Sequence, residues 1–249
     1  MSGHSKWASI KHQKMGNDAK RGQLFTKLGR EISIAAREGG PDSASNVRLR
    51  LAIQRAKDSN MPADNIDRAI KRGSGQSDGV ELEEVVYEGY GPGGTALLVE
   101  AATDNRNRAS SDIRSAFGRA GGNLGESGCV GWLFEPRGII AVEIDGQDPD
   151  ELALQAIDAG AEDVQADGDF LEIYTSPPDL DRVRQALEGL KVKVNSAEKT
   201  MVAKTTVSAD EETALRVLRL IERLEDLDDV QKVYSNLDVP DAVWEQFEK

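Results

Sequence analysis

The spacing of apolar residues changes near residue 75 of this 249-residue chain. Before that point, apolar side chains recur at three- and four-residue intervals, which is the spacing of amphipathic helices. After it, short apolar runs that fit strands alternate with segments of helical spacing. The chain therefore combines an all-helical part with an α+β part, and it is long enough for two or three small domains.

The N-terminal part is predicted to hold three helices behind a basic arm. The first helix runs from about Asp18 to Glu38, the second begins after Ser45, and the third begins at Pro62 and ends at Gly73. One face of the first helix carries an apolar stripe that we expect to face a core, made of Leu24, Phe25, Leu28, Ile32, Ala35 and Ala36. Its cations fall on a different face, which we expect to be exposed, and they are Lys20, Lys27, Arg30 and Arg37.

The remainder is predicted to hold two ferredoxin-like α+β domains, one inserted in the other. Strands at residues 95–102 and 129–134 flank one helix, and strands at residues 201–207 and 230–235 flank another. The stretch between them has the order βαββαβ, which is that of a complete ferredoxin-like domain. The predicted domains are residues 1–80, residues 81–135 with 200–240, and the inserted residues 136–199.

The net charge of −13 hides a strong asymmetry along the chain. Residues 1–73 hold 15 Lys and Arg against 7 Asp and Glu, so their net charge is +8. The other residues hold 31 − 15 = 16 cations against 44 − 7 = 37 carboxylates, which is −21. Such a protein is attracted to a polyanion at one end and repelled at the other, which indicates oriented binding to nucleic acid. The alternative is that the two oppositely charged surfaces dock on each other.

Residue types needed for most catalytic and metal centres are scarce. Both histidines, His4 and His12, lie in the N-terminal arm, and Cys129 is the single cysteine. This argues against Ser-His-Asp and Cys-His nucleophile systems and against a zinc site in the folded body. Gly89 to Gly94 match G-x-G-x-x-G, but the segment precedes a strand and lacks the Lys-Ser/Thr of a P-loop, so we expect a turn. We predict a protein that is not an enzyme, with no catalytic residue, metal, cofactor or small-molecule substrate.

The compartment is predicted from what the chain lacks. No apolar run approaches the roughly 18 residues needed to cross a bilayer. The polar residues 1–13 do not resemble a signal peptide, and a lone cysteine fits a reducing compartment. We therefore expect a cytoplasmic protein with no membrane partner.

Two segments are candidate nucleic-acid contacts. The N-terminal arm, residues 2–14, interleaves cations with Trp7, which can stack on an unpaired base; its alternative is a disordered tail with the indole folded back on the helices. Arg106 and Arg108 begin a helix, where backbone N–H groups favour phosphate; the alternative is a capped helix whose arginines pair with local carboxylates. With the first helix, the predicted binding residues are Lys6, Trp7, Lys11, His12, Lys14, Lys20, Arg21, Lys27, Arg30, Arg37, Arg106 and Arg108.

The chain resembles YebC-type proteins, a family that includes the mitochondrial translational activator of cytochrome c oxidase. The resemblance covers nearly the whole length. It rests on motifs spread along the chain: Gly3-His4-Ser5-Lys6-Trp7, Asp18-Ala19-Lys20-Arg21-Gly22, Phe25-Thr26-Lys27, Asn60-Met61-Pro62, Tyr87-Glu88-Gly89-Tyr90-Gly91-Pro92-Gly93-Gly94, Asp104-Asn105-Arg106-Asn107-Arg108 and Gly121-Gly122-Asn123-Leu124-Gly125.

The resemblance implies a three-domain fold, with a helical first domain and two α+β domains, and one of two roles. One is DNA binding as a transcriptional regulator. The other is ribosome association through ribosomal RNA, as a translation factor that relieves stalling on proline-rich stretches. No predicted helix displays a clear Asn, Gln and Arg pattern for reading a major groove, so shape-directed RNA binding fits the residues better. A third possibility is a protein-binding adaptor that works through its sheet surfaces.

Overall fold

The computed structural model describes residues 18–76, 81–167 and 170–248. The chain forms two compact units. The larger unit is Met1–Phe134 with Ala203–Lys249, and the smaller is Glu135–Val202. The described residues form N-terminal helices followed by antiparallel sheets with helices, which confirms the multidomain α+β class. The division into three domains with the stated boundaries stays a prediction.

Three helices open the larger unit: α1 (Asp18–Gly39), α2 (Val47–Asp58) and α3 (Ala63–Gly73). The predicted apolar stripe of α1 is confirmed, because its residues pack into one cluster with apolar residues of α2 and α3. Asn46 fixes the start of α2. Its side-chain oxygen accepts from the Leu49 N–H at 3.0 Å, and its amide nitrogen donates to the carbonyls of Ala35 and Gly40. One buried amide thus joins the end of α1 to the beginning of α2.

A sheet with the order β3-β1-β2-β9 forms the rest of this unit. Its strands are β1 (Glu83–Tyr90), β2 (Ala96–Thr103), β3 (Asn123–Leu124) and β9 (Val230–Ser235), and their pairings are antiparallel. Apolar residues of β2 and β9 share a core with α4 (Arg106–Ala120) and α7 (Glu211–Glu225). The same core takes Val243 and Trp244 of α8 (Asp241–Glu248). A short parallel pair, β8 (Val207–Ser208) and β10 (Leu237–Asp238), completes the unit.

The segment matching G-x-G-x-x-G is a turn between two antiparallel strands, as expected. It joins β1 to β2 through a 3-10 turn at Pro92–Gly94. Gly93 has φ +68° and Gly94 has φ +74°, a backbone conformation that favours glycine. This explains the glycines by turn geometry.

A buried carboxylate organises the loop after β3. Glu88 of β1 is 7% exposed, and its carboxylate accepts the backbone N–H groups of Gly128, Val130 and Gly131 at 2.7, 2.8 and 2.6 Å. Burial opposes ionisation of Glu88, but these three N–H donors outweigh it and lower its pKa below the usual value. We call residues 125–131 the Glu88 loop.

The smaller unit has the order β5-β6-β4-β7. Its elements are β4 (Phe134–Glu143), α5 (Pro149–Asp158), β5 (Asp163–Asp167), β6 (Phe170–Thr175), α6 (Leu180–Gly189) and β7 (Val194–Ala203). The chain order βαββαβ with this strand order is the ferredoxin-like arrangement predicted for the inserted stretch.

Several local predictions were wrong. The strand predicted at residues 129–134 is loop and a 3-10 turn, Gly131–Leu133, up to the start of β4, and the strand that joins the sheet is β3. The apolar run there belongs to a loop held by Glu88 rather than to a ladder of backbone bonds. The strand predicted at residues 201–207 is instead the end of β7 followed by β8. Strand β1 and helix α8 were not predicted.

Candidate nucleic-acid interface

The predicted binding residues of the N-terminal arm lie outside the described residues, and they are Lys6, Trp7, Lys11, His12 and Lys14. Lys20 belongs to α1, but its side chain is outside the description as well. Arg21 is exposed. The binding role of these residues stays a prediction.

Arg30 of α1 is engaged by the α+β part of its own unit. Its Nη1 lies 3.0 Å from the carbonyl oxygen of Ala102, 2.6 Å from that of Asp228 and 2.9 Å from Oδ1 of Asp229. The Arg30 side chain is only 17% exposed and that of Asp229 only 8%. A phosphate could reach this guanidinium only by displacing protein oxygens.

Two neighbouring cations of α1 also bind backbone carbonyls of the α+β part. Lys27 donates its Nζ to the carbonyl of Glu225, and Arg37 donates to the carbonyl of Leu82. Ile34 lies on the same helical face as these cations and is 2% exposed. This face of α1 therefore packs against the α+β part, and an apolar residue among the cations was the sequence signal for it.

Asp229 also brings together two cations that are distant in sequence. Arg108 of α4 donates Nε and Nη2 to the Asp229 carboxylate at 3.1 and 2.9 Å, and Arg30 approaches the same carboxylate from α1. Asp104 accepts from Arg108 as well, and this hydrogen bond lowers the pKa of Asp104 and raises that of Arg108. We call Arg30, Asp229 and Arg108 the Asp229 latch, because they tie α1 to α4 and to the turn before β9.

At the start of α4, the structure fits the alternative of a capped helix whose arginines pair with local carboxylates. Asn105 caps the helix, with its side-chain oxygen accepting the Arg108 N–H at 3.0 Å. Arg106 pairs with Glu83, and its side chain is 65% exposed. Carboxylates thus occupy both guanidinium groups, although Arg106 keeps most of its surface in solvent.

Helix α2 uses its arginines inside the unit too. Arg48 pairs with Glu38 and Glu84, and Arg55 pairs with Glu31 at 3.0 Å. These pairs join α2 to α1 and to β1. Lys57 of the same helix is exposed.

Helix α3 carries a group of exposed cations. Arg68, Lys71 and Arg72 are exposed in its C-terminal half, and we call them the α3 cation cluster. Among the residues that the structure describes, no carboxylate pairs with any of them within 4.0 Å, although Arg68 donates to the Asp64 carbonyl at 3.1 Å and to the side-chain oxygen of Asn65. The sequence predictions did not single out this cluster, because α3 was taken only as a packing helix.

A groove runs beside the cluster, between α3 and α1. Its volume is about 740 Å³. Arg68 and Arg72 line it from α3, and small residues of α1, Gly22, Thr26 and Gly29, line it from the other side. Arg30, Leu82 and Asp104 also belong to its lining. A Cβ on Gly22 would meet no atom within 4 Å, so the groove is open there. The N-terminal arm joins α1 at Asp18, only four residues before Gly22.

The described residues contain neither a metal-binding cluster nor a membrane-spanning helix. No group of at least three His, Cys, Asp or Glu side chains has the geometry to hold a metal ion in residues 18–76, 81–167 and 170–248. No helix in these ranges is long and apolar enough to cross a membrane.

Comparisons with known proteins agree along the whole chain. The family profile described as "TACO1/YebC protein N-terminal domain" matches residues 5–76, and that described as "TACO1/YebC second and third domain" matches residues 82–237. A "Probable transcriptional regulatory protein" of Dehalococcoides mccartyi is 59% identical over 99% of this chain and 98% of its own length. A protein of the same name from Moorella thermoacetica is 59% identical over the full length of both.

The chain is also similar to a solved structure. The crystal structure of a conserved hypothetical protein from Aquifex aeolicus superposes with a TM-score of 0.84. It shares 51% sequence identity and covers 90% of this chain and 93% of that one.

Proposed function

Because the chain belongs to the TACO1/YebC family, we propose that it is a cytoplasmic, non-enzymatic regulator of gene expression that binds nucleic acid through its N-terminal helical part and arm. The observation that carries the proposal is the α3 cation cluster. It leaves three exposed cations without a carboxylate partner among the described residues, in a protein whose net charge is −13. Exposed cations whose charge no carboxylate neutralises are suited to bind phosphate.

The groove supports a backbone contact rather than base reading. Arg68 and Arg72 are one helical turn apart on α3, so their guanidinium groups can bind neighbouring phosphates. The small residues on the α1 side leave room for a strand of nucleic acid at this edge. The arm enters α1 at the same end, so its lysines can extend the contact along the strand.

The Asp229 latch orients the protein on a bound nucleic acid, because it fixes the helical part relative to the acidic α+β part. It holds α1 against the acidic α+β part of the larger unit, so the cationic and anionic surfaces move together. A polyanion is then attracted toward α3 and repelled by the rest. The alternative of oppositely charged docking surfaces accounts for the cations of α1, while those of α3 remain for a ligand.

The two candidate targets are DNA and ribosomal RNA. The names of the relatives favour transcription and hence DNA. The geometry favours RNA, because α1 and α2 use their cations inside the protein and neither is free to enter a major groove. Shape-directed contacts to phosphates fit a folded RNA better than sequence reading in duplex DNA.

The test is a triple variant, Arg68→Ala with Lys71→Ala and Arg72→Ala. Binding to a labelled 20-base-pair duplex DNA and to a fragment of ribosomal RNA is measured by fluorescence anisotropy between about 50 and 200 mM salt. We expect at least a tenfold loss of affinity near 100 mM. If all three cations contact phosphates, the slope of log K against log salt falls by up to about 2.7 on duplex DNA and by about 2 on single strands.

The matched control removes three exposed cations elsewhere: Arg114→Ala, Lys191→Ala and Arg219→Ala. It changes the net charge by the same amount and should leave both the affinity and the slope close to wild type. Equal losses in the two variants would mean that only overall charge matters and would refute an α3 site. Co-sedimentation with ribosomes then separates the targets, because strong duplex binding without co-sedimentation selects transcription over translation.

A further inference from the structure

Two exposed aromatic side chains share one hydrogen-bond acceptor on the Glu88 loop. The Tyr90 hydroxyl lies 3.0 Å from the carbonyl oxygen of Cys129, and Nε1 of Trp132 lies 3.2 Å from the same oxygen. Trp132 is 65% exposed and Tyr90 is 40% exposed. Among the large apolar residues found exposed in the described part of the chain, these two are the aromatic ones. Their polar edges are tied to the protein and much of their ring surface is in solvent.

The Glu88 loop, whose Cys129 carbonyl accepts from both aromatic side chains, is held in place together with the turn that carries Trp132. The Glu88 carboxylate holds three of its N–H groups, and the Glu88 carbonyl accepts the Gly125 N–H at 2.8 Å. Lys204 donates its Nζ to the Trp132 carbonyl at 2.9 Å and its backbone N–H to the Leu133 carbonyl at 2.8 Å. A side chain presented on a rigid support loses little conformational entropy when it binds a partner.

The charge around the pair differs from the rest of the acidic part. Residues 118–134 contain one cation, Arg119, and one carboxylate, Glu126, and Lys204 adds a further cation beside Trp132. The Glu88 carboxylate accepts hydrogen bonds from three backbone N–H groups and is therefore engaged inside the protein. A cation therefore lies directly beside Trp132, whereas the chain after residue 73 carries a net −21.

We propose that Tyr90 and Trp132 form a stacking platform for an unpaired base of the nucleic acid that the protein binds. The inference rests on the proposed function and names the chemistry it recognises, a single-stranded nucleobase. A flat ring stacks on bases of any sequence, and a nearby cation attracts the phosphate that follows the base. An apolar protein surface is a weaker match, because the segment that leads to Trp132 contains Gly125, Ser127, Gly128 and Gly131 and few aliphatic residues.

The experiment compares Trp132→Ala with Trp132→Phe in the full chain. The probes are a labelled 12-nucleotide single-stranded RNA and the same sequence paired into a duplex, both followed by anisotropy. Trp132→Ala should weaken the single-strand complex by about 5- to 150-fold, the value for one lost base stack, and Trp132→Phe should keep most of the affinity. The duplex affinity and the salt slope should not change, since no phosphate contact is removed. Thermal melts verify that each variant folds, as expected for a side chain with 65% exposure.

The outcomes separate this inference from the proposed function. If the α3 triple variant loses affinity while Trp132→Ala binds the single strand like wild type, the platform is refuted and the proposed function stands. If the wild type binds neither probe, both fail. If Trp132→Ala binds naked RNA normally but no longer sediments with ribosomes, Trp132 contacts protein and the base-stacking role is overturned.

Discussion

The Asp229 latch makes a quantitative prediction for Asp229→Ala. The substitution removes a carboxylate whose side chain is 8% exposed and which accepts from Arg30 and Arg108. Arg30, itself 17% exposed, keeps the carbonyls of Ala102 and Asp228 but loses its counter-charge. The helical part is then held to the α+β part with a buried cation that lacks an anion.

The magnitude follows from burial. Deleting one partner of a buried ion pair costs about 3 to 5 kcal/mol, and the two remaining carbonyls offset part of that cost, so we expect a loss of about 2 to 4 kcal/mol. For a chain of this size, each kcal/mol lowers the melting temperature by about 2 to 4 °C, which gives a decrease of about 5 to 15 °C. The contribution of Arg108 adds little, because its side chain is 47% exposed and screened by water.

Two assays report the effect. Urea unfolding followed by circular dichroism gives the change in free energy, and hydrogen exchange by mass spectrometry shows whether residues 18–76 lose protection first. The matched control is Asp104→Ala, which removes the more exposed carboxylate bound to Arg108 and should change stability far less. If the two variants lose the same free energy, the buried pair contributes nothing and α1 is held by apolar packing alone.

Three further predictions concern other contacts. Glu88→Gln should cost about 2 to 4 kcal/mol at pH 7, because one acceptor oxygen replaces two facing three N–H groups. Folding lowers the pKa of Glu88, so its stabilisation is fully present above the unfolded value near 4.5 and is lost as pH falls through the folded pKa. In thermal melts from pH 7 to 3, the melting temperatures of wild type and Glu88→Gln should therefore converge below about pH 4.5 and not above it. Asn46→Ala should cost about 2 to 3 kcal/mol in urea unfolding, and Asn46→Asp should cost at least as much, because a buried carboxylate oxygen would face the carbonyls of Ala35 and Gly40 in place of the amide donor. Gly73→Ala should lower the melting temperature clearly, because its Cβ would lie 2.0 Å from the Ser33 carbonyl oxygen, while Gly22→Ala, with no atom within 4 Å, should be neutral or mildly stabilising.

Periodicity predicted most of the elements because the apolar residues lie where each core needs them. The stripe of α1 and the helical spacing of Ile113 and Phe117 in α4 correspond to buried positions. The βαββαβ order of the smaller unit was readable for the same reason. Strand β1 escaped prediction because most of it is exposed or half-buried and its one buried acidic residue, Glu88, binds a loop that follows about 40 positions later.

The candidate site was harder to predict than the fold. A sequence shows that a helical face is cationic, but it does not show whether the partner is a phosphate or the protein's own carbonyls. Lys27, Arg30 and Arg37 have protein oxygens as partners, and the availability of Arg68 and Arg72 depends on which carboxylates lie nearby in space. Ile34 was the sequence signal that the cationic face of α1 packs against protein, since an exposed cationic face does not need an isoleucine at its centre.

The long separation in sequence between Arg30 and Asp229 has a consequence for synthesis of the chain. Strand β9, which pairs with β2, and the acid that receives Arg30 lie in residues 229–235 and are synthesised long after α1 to α3. A growing chain can form α1 to α3 early, yet the cationic face of α1 stays uncovered until residues 229–235 have been added. Truncated products should therefore expose a cationic helix face that the finished protein hides, and they should bind polyanions less selectively than it does.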